Sequence, residues 1–329
     1  MTAPISWVIG GGGLLGRHVR ASLDARGCPA WSVAVPIGWG DDLAASAALE
    51  REAEGLLDAA AATGAPWRIV WCAGGGVVAT PLAALSRETE LVRCFAERLA
   101  DLLSGDPDLA ACGVVFVASS AGGVYSASPA SPPFNEGSET GCLAPYGRAK
   151  LEQETLWEVF AHQTGVDLLV GRFSNLYGPG QRVSKGQGLI STVGHAALKR
   201  EPVSLYVPLD TIRDYLFAAD AGRMTVDALE RLEAERRAGA GHRVILKIFA
   251  SEVETTVASV LGAWRGSLRR PLRVALASNP ASRLQPRVLS FRSRIWPDLR
   301  GRPTLLPLGI EAVRRDQLGR MMADGLAAA

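Results

Sequence analysis

Tyr146 and Lys150, in Tyr146-Gly-Arg-Ala-Lys150, stand four residues apart, the spacing that puts two side chains on one face of a helix. An ammonium in that position acts on the phenol and on a bound cofactor together. A free phenol has a pKa of about 10, so ionising it at neutral pH costs roughly 4 kcal/mol without help. A nearby cation and a water-poor pocket that binds the phenolate supply much of that. For the pair alone a surface Tyr and Lys on an amphipathic helix is the better reading, and two further motifs reverse that.

The first is Gly10-x-x-Gly13-Leu14-Leu15-Gly16, directly after the β-prone Ile5 to Ile9 and opening a helical pattern with Leu15, Val19 and Leu23 inward. A strand, a glycine turn and a helix N-terminus form the setting for a dinucleotide: missing side chains let the backbone approach a pyrophosphate, and the helix end favours its charge. Gly10, Gly13, Leu14, Leu15 and Gly16 are therefore candidate cofactor contacts, against the alternative of a plain flexible turn. The second is Gly113-Val-Val-Phe-Val-Ala-Ser119-Ser120-Ala-Gly-Gly-Val-Tyr125, an apolar strand ending in hydroxyls. Ligands of an open parallel sheet bind at the carboxyl ends of its strands, though a serine pair also caps turns. Ala73 and Gly74, ending the strand Arg68 to Ala73, occupy the equivalent place. In this order the motifs outline a nicotinamide-dependent redox site.

These residues must be carried by alternating elements. Further strands are expected at Trp31 to Val35, Gly113 to Ala118 and Asp167 to Val170, with helices at Leu43 to Ala62, Pro81 to Leu103 and Tyr146 to Gln163. Apolar strands alternating with helices imply an α/β fold, a doubly wound parallel sheet covered on both faces. Beyond Arg172 the pattern is less regular, with helices at Leu189 to Leu198, Ala218 to Arg236, Val253 to Trp264 and Ile310 to Met322. Strands are expected there at Val203 to Val207 and Val244 to Ile248. A nucleotide-binding domain over 1–175, to which 218–248 returns, and a smaller substrate lobe from 176–217 and 249–329 follow.

Composition narrows the function classes. The 329 residues are 48% hydrophobic and 21% charged, ordinary for a globular chain large enough for a big core. Thirty-five basic against 33 acidic residues leave a net charge of +2, no electrostatic case for nucleic acid. Cys28, Cys72, Cys94, Cys112 and Cys142 include no CxxC, and three lie in apolar segments, which suits buried thiols in a reducing cytosol. The four histidines show no ligand spacing, so no metal is expected. The longest apolar run, near Leu109 to Ala118, is too short to span a bilayer, and no targeting pattern is present, so a soluble cytoplasmic protein is expected.

The glycine turn, Ser-Ser-x-Gly-Gly-Val-Tyr, Tyr-x-x-x-Lys and Arg172-Phe-Ser-Asn175-Leu-Tyr-Gly-Pro-Gly-Gln181, together with Arg213-Asp214-Tyr215, resemble the extended short-chain dehydrogenase/reductases. Within these the chain is similar to the NAD-dependent epimerase/dehydratase family acting on nucleotide sugars. The resemblance implies Tyr146 as acid/base on a sugar hydroxyl and Lys150 on the nicotinamide ribose. It also implies Asn175 near the substrate, Arg213 on the diphosphate, and a homodimer through the helices Pro81 to Leu103 and Tyr146 to Gln163. For Arg213 the alternative is an ion pair with Asp214 or Asp210. Glu136 matches a recurrent family position, where a loop acid is more often structural.

Three departures modify the expectation. The family's catalytic Ser or Thr falls on Ala121, so Ser120 is the nearest substitute and Ser119 the next, here taken as a cofactor contact. The dehydratases' Asp-Glu is Gly122-Gly123, which offers neither the acid nor the base that water elimination needs. The carboxylate that takes the adenosine ribose of NAD is replaced by Val35-Pro36-Ile37, with Asp41 and Asp42 a few residues late and no arginine for a 2′-phosphate. NAD is the cofactor the family implies, with NADP open. The expected reaction is epimerisation of a nucleotide sugar by transient oxidation, the alternatives being an NADPH-dependent reductase of a keto-sugar and a non-catalytic cofactor-binding regulator.

Overall fold

The structure, a computed structural model, describes residues 2–34, 36–183, 188–277 and 285–327. Along the chain run β1 (Ile5–Ile9), α1 (Leu14–Asp24), α2 (Asp42–Thr63), β2 (Trp67–Trp71), α3 (Leu82–Leu103), α4 (Pro107–Ala111) and β3 (Gly113–Ser120). Then come α5 (Ala121–Val124), α6 (Pro145–Thr164), β4 (Asp167–Phe173), β5 (Asn175–Tyr177), α7 (Leu189–Leu198), β6 (Val203–Leu205) and β7 (Ile212–Phe217). The remainder is α8 (Ala218–Arg237), β8 (Val244–Phe249), β9 (Glu254–Thr256), α9 (Val257–Leu268), β10 (Val274–Leu276), β11 (Val288–Leu289) and α10 (Leu306–Ala327).

Strands β1-β2-β3-β4-β8 form one parallel sheet in that spatial order. Alternation assigns its residues to two cores. Trp7, Ile9, Trp67, Ile69, Trp71, Val115, Val117, Leu168 and Val170 pack with α2, α3 and α6, while Val70, Val114, Phe116 and Leu169 pack with α1 and α8. Both faces being covered, the strands read as continuous apolar runs. A Rossmann-like α/β fold results. Later elements form a third core around Tyr177, Ile190, Val203, Leu205, Val260, Trp264 and Ile310, beside a small sheet in which β7 pairs with β5, β11 and β9.

The strand expected at Trp31 to Val35 does not form over Trp31 to Ala34; Val35 lies outside the described residues. Ala30 makes one isolated parallel bridge to Ser6, after which the buried Glu52 of α2 takes over the segment. Its carboxylate accepts from Trp31 Nε1 at 2.9 Å and from the Ala34 amide at 3.0 Å. A backbone amide bonded to a helix side chain is withdrawn from any ladder, and Pro36 has no amide to offer. β1 is consequently an edge of the sheet. The helix expected from Val253 starts at Val257, because Glu254–Thr256 pairs antiparallel with β7 and Thr256 caps the helix through the Ser259 amide. All five cysteines are free, but Cys94 is exposed and the others half-buried, so the expected burial is only partial.

Candidate active site

The chemistry-bearing residues converge at the carboxyl ends of β1, β2 and β3. The turn after β1 is built for close approach. Gly10 has φ +81°, and a methyl there would lie 2.6 Å from the Ala73 amide nitrogen. A methyl at Gly16 would lie 2.4 Å from Gly10 O, while Gly12 faces open space. Gly13 caps α1 without a side-chain hydrogen bond, so the first amides, near Leu14 and Leu15, stay available. A side-chain-free turn leading into a helix N-terminus is suited to the diphosphate of a dinucleotide.

Tyr146 opens α6, half-buried, its ring between two glycines. A methyl on Gly76 would lie 3.4 Å from one ring edge, and one on Gly123 would lie 3.2 Å from the other. The Gly123 position is also 3.3 Å from Ser120 Oγ, so the serine hydroxyl and the phenol ring flank the same point. Ser120 further caps α5, accepting from the Gly123 amide at 3.1 Å. Lys150, one turn on, is buried; its Nζ donates to Gln153 Oε1 at 2.8 Å and to Glu88 Oε1 at 3.3 Å. Gly74 adjoins both groups, 3.1 Å from Glu88 Oε1 and 3.4 Å from Lys150 Nζ when a methyl is placed on it.

Ser119 goes elsewhere. Its hydroxyl donates to Glu154 Oε1 in a buried network with Arg172, whose Nη2 reaches Glu154 Oε2 at 2.7 Å and whose Nη1 donates to Tyr125 Oη at 2.7 Å. Asn175 Nδ2 donates to the Asp214 carbonyl at 3.0 Å, and Asp214, fully buried, accepts from Ser174 Oγ and the Ser251 amide. Glu136 is structural: it accepts from the Ile248 amide, Ser293 Oγ and the Arg294 amide, tying its loop to β8 and the C-terminal segment.

Arg213 is buried without an acidic partner among the described residues. It donates to the carbonyls of Ile212 and Arg287 and to Gln285 Oε1, and burial pushes its guanidinium below the usual arginine range. Neither alternative partner takes it, since Asp210 pairs with Arg287 and Asp214 with serines. Gln285, Arg287, Tyr206 and Asp210 line an adjoining cleft of about 320 Å³. Asp41 is the N-cap of α2, its Oδ1 accepting from the Leu43 and Ala44 amides, and Asp42 is the first helical residue. Their places follow from helix capping.

Glu88 escaped the sequence reading. A signal was present: it continues the apolar stripe Leu85, Val92 and Phe95 of α3 at helical spacing, and an acid on a core-facing stripe needs a partner. Burial raises its carboxyl, but the Lys150 charge and the Gly75 and Gly76 amides outweigh this and hold it below the usual carboxylate range. Among the described residues no three His, Cys, Asp or Glu converge on a metal-sized site, and no helix is long and apolar enough to cross a membrane.

Comparison with known proteins bears on the fold and the family. The chain aligns over its whole fold with UDP-glucose 4-epimerase of Thermotoga maritima, solved with UDP-glucose (TM-score 0.73, 17% identity, 97% of this chain and 100% of that one). It aligns similarly with RMD of Pseudomonas aeruginosa complexed with NADPH (TM-score 0.74, 19% identity, 97% and 98%). In sequence it is 28% identical to Escherichia coli dTDP-4-dehydro-6-deoxyglucose reductase over 145 residues, 44% of this chain and 45% of that protein. It is 29% identical to a putative UDP-glucose 4-epimerase of Methanocaldococcus jannaschii over 116 residues, 35% and 37%. The chain thus spans less than half the length of the curated relatives it matches. Residues 7–241 match the profile of one family throughout, from the glycine turn past the Tyr146 helix: the chain belongs to the NAD dependent epimerase/dehydratase family.

Proposed function

We propose that the protein is an NAD-dependent epimerase of a nucleotide sugar. The observation that carries this reading is the juxtaposition of the Tyr146 ring and Ser120 Oγ about Gly123, with the Lys150 ammonium one turn along the same helix. Bound at the glycine cradle, NAD supplies a hydride acceptor. Tyr146 takes the proton of the reacting hydroxyl as the carbon is oxidised, and Ser120 donates a hydrogen bond to the carbonyl oxygen that forms. Lys150 favours the phenolate and holds the nicotinamide ribose. When the opposite face of the ketone is presented, return of the same hydride to the carbon, with Tyr146 giving its proton back to the carbonyl oxygen, would invert the centre without net redox. Gly122 and Gly123 provide no acid or base for water elimination, which disfavours dehydration.

Arg213 supports a nucleotide diphosphate. A buried guanidinium satisfied only by neutral oxygens is poised for an anion, and the adjoining cleft gives the nucleotide a place. Asn175, at the start of β5, lies on the substrate side of this reading. We assign 1–175 with 218–248 to cofactor binding and 176–217 with 249–329 to the substrate. A homodimer belongs to the same proposal: α3 and α6 pack side by side and leave Leu82 and Val159 exposed, 65% and 48%.

The Escherichia coli relative favours a second reading, net reduction of a nucleotide-linked keto-sugar. Mass spectrometry of ligands released on denaturing the purified protein separates the two. An epimerase regenerates its cofactor and retains it, so stoichiometric NAD is expected. Protein that emerges free of nucleotide and exchanges NADPH rapidly contradicts the epimerase and supports the reductase.

A further inference from the structure

Glu88 occupies a position that the catalytic reading leaves without a task. One carboxylate oxygen faces Lys150 Nζ at 3.3 Å; the other accepts from the Gly75 amide at 2.9 Å and the Gly76 amide at 3.0 Å. Gly76 in turn lies against the Tyr146 ring. Behind them Gln153 accepts from Lys150 and donates to Thr89 Oγ1 at 3.2 Å, so the ammonium is held by two residues. A carboxylate at this distance from the ammonium opposes, in sign, the pull that the lysine exerts on the phenol.

We propose that Glu88 is a positioning residue for the Tyr146–Lys150 pair: its carboxylate fixes Lys150 Nζ and the Gly75–Gly76 backbone that lies against the Tyr146 ring, and its charge opposes the ammonium's pull on the phenol. The inference rests on Tyr146 as the acid/base for its consequence in turnover, although the charge arrangement stands independently of substrate. The other groups facing this region do not perform the offset. From α6 and β4 come Glu154 and Arg172, which neutralise one another. From β3 and α5 come no charged side chains; the loop before α6 contributes the Cys142 thiol against Gly147, and Arg148 of α6, near that thiol, is itself a cation and adds no opposing charge. Arg93 of α3 pairs outward with Glu90 and Glu152.

Ultraviolet titration of the phenols tests this without any substrate. The chain has five tyrosines, and burial pushes Tyr125, Tyr177 and Tyr215 up, the last to about 12. Subtracting the titration of the matching Tyr146→Phe protein isolates Tyr146 in each background. Glu88→Gln keeps an oxygen acceptor for the glycine amides and removes the charge; the Tyr146 component is expected to move about one pH unit toward acid. Glu88→Ala, a second neutral variant, moves it in the same direction, whereas Glu88→Asp, retaining the charge, leaves it near the parent. Thermal melts identify the folded variants. A component that stays at the parent pH in a folded neutral variant overturns the proposal, as does an equal acid shift in Glu88→Asp. Turnover failing for want of the right sugar leaves this result untouched.

Discussion

Tyr146→Phe lowers turnover of the nucleotide sugar by about a thousandfold, within the range that loss of a positioned general acid/base produces. The phenyl ring still fills the space between Gly76 and Gly123, so the site keeps its shape and NAD affinity stays within a few-fold of the parent. Lys150→Ala harms both quantities, because the ammonium serves phenol and cofactor together. Steady-state kinetics beside a fluorescence titration of cofactor measures the contrast. Near-normal turnover in the Phe variant removes the tyrosine from the mechanism.

Glu154→Ala is expected to cost much of the protein's stability. Arg172 and Glu154 are both buried, and the guanidinium makes a forked contact, Nη2 to Oε2 at 2.7 Å and Nε to Oε1 at 3.0 Å. Removing one partner strands the other charge in a low-dielectric interior, which costs about 3–5 kcal/mol. Ser119 Oγ loses its acceptor as well. Denaturant unfolding should therefore show a midpoint well below the parent. A loss under about 1 kcal/mol would place this pair in the class of solvated ion pairs.

Most of the sheet is legible because burial on both faces leaves long apolar strands between helices whose core stripes recur at three and four residues. The glycine turn is equally plain, since its spacing has a steric cause that Gly10 and Gly16 display. What escapes is decided by residues distant in sequence. Trp31 to Ala34 has the composition of a strand, yet Glu52, some twenty residues on, captures its hydrogen bonds. Ser120 reads as the substitute for the family's catalytic hydroxyl and Ser119 as a cofactor contact; the fold turns Ser119 to Glu154 on α6 and leaves Ser120 capping α5 beside the phenol. Glu88 and Glu154 sit on apolar helical stripes, and only the fold reveals that Lys150 and Arg172 neutralise them. Asp41, a candidate for the ribose, is by contrast placed by a local contact, its Oδ1 accepting from the Leu43 and Ala44 amides at the start of α2.

The most direct measurement is the absorbance of NAD-loaded protein on mixing with a panel of nucleotide sugars, parent and Tyr146→Phe side by side. Transient growth of the reduced-nicotinamide band with one sugar in the parent, absent from the Phe variant, is the predicted result. No such band with any sugar, in protein shown to hold NAD, would contradict a hydride-transfer role for this site.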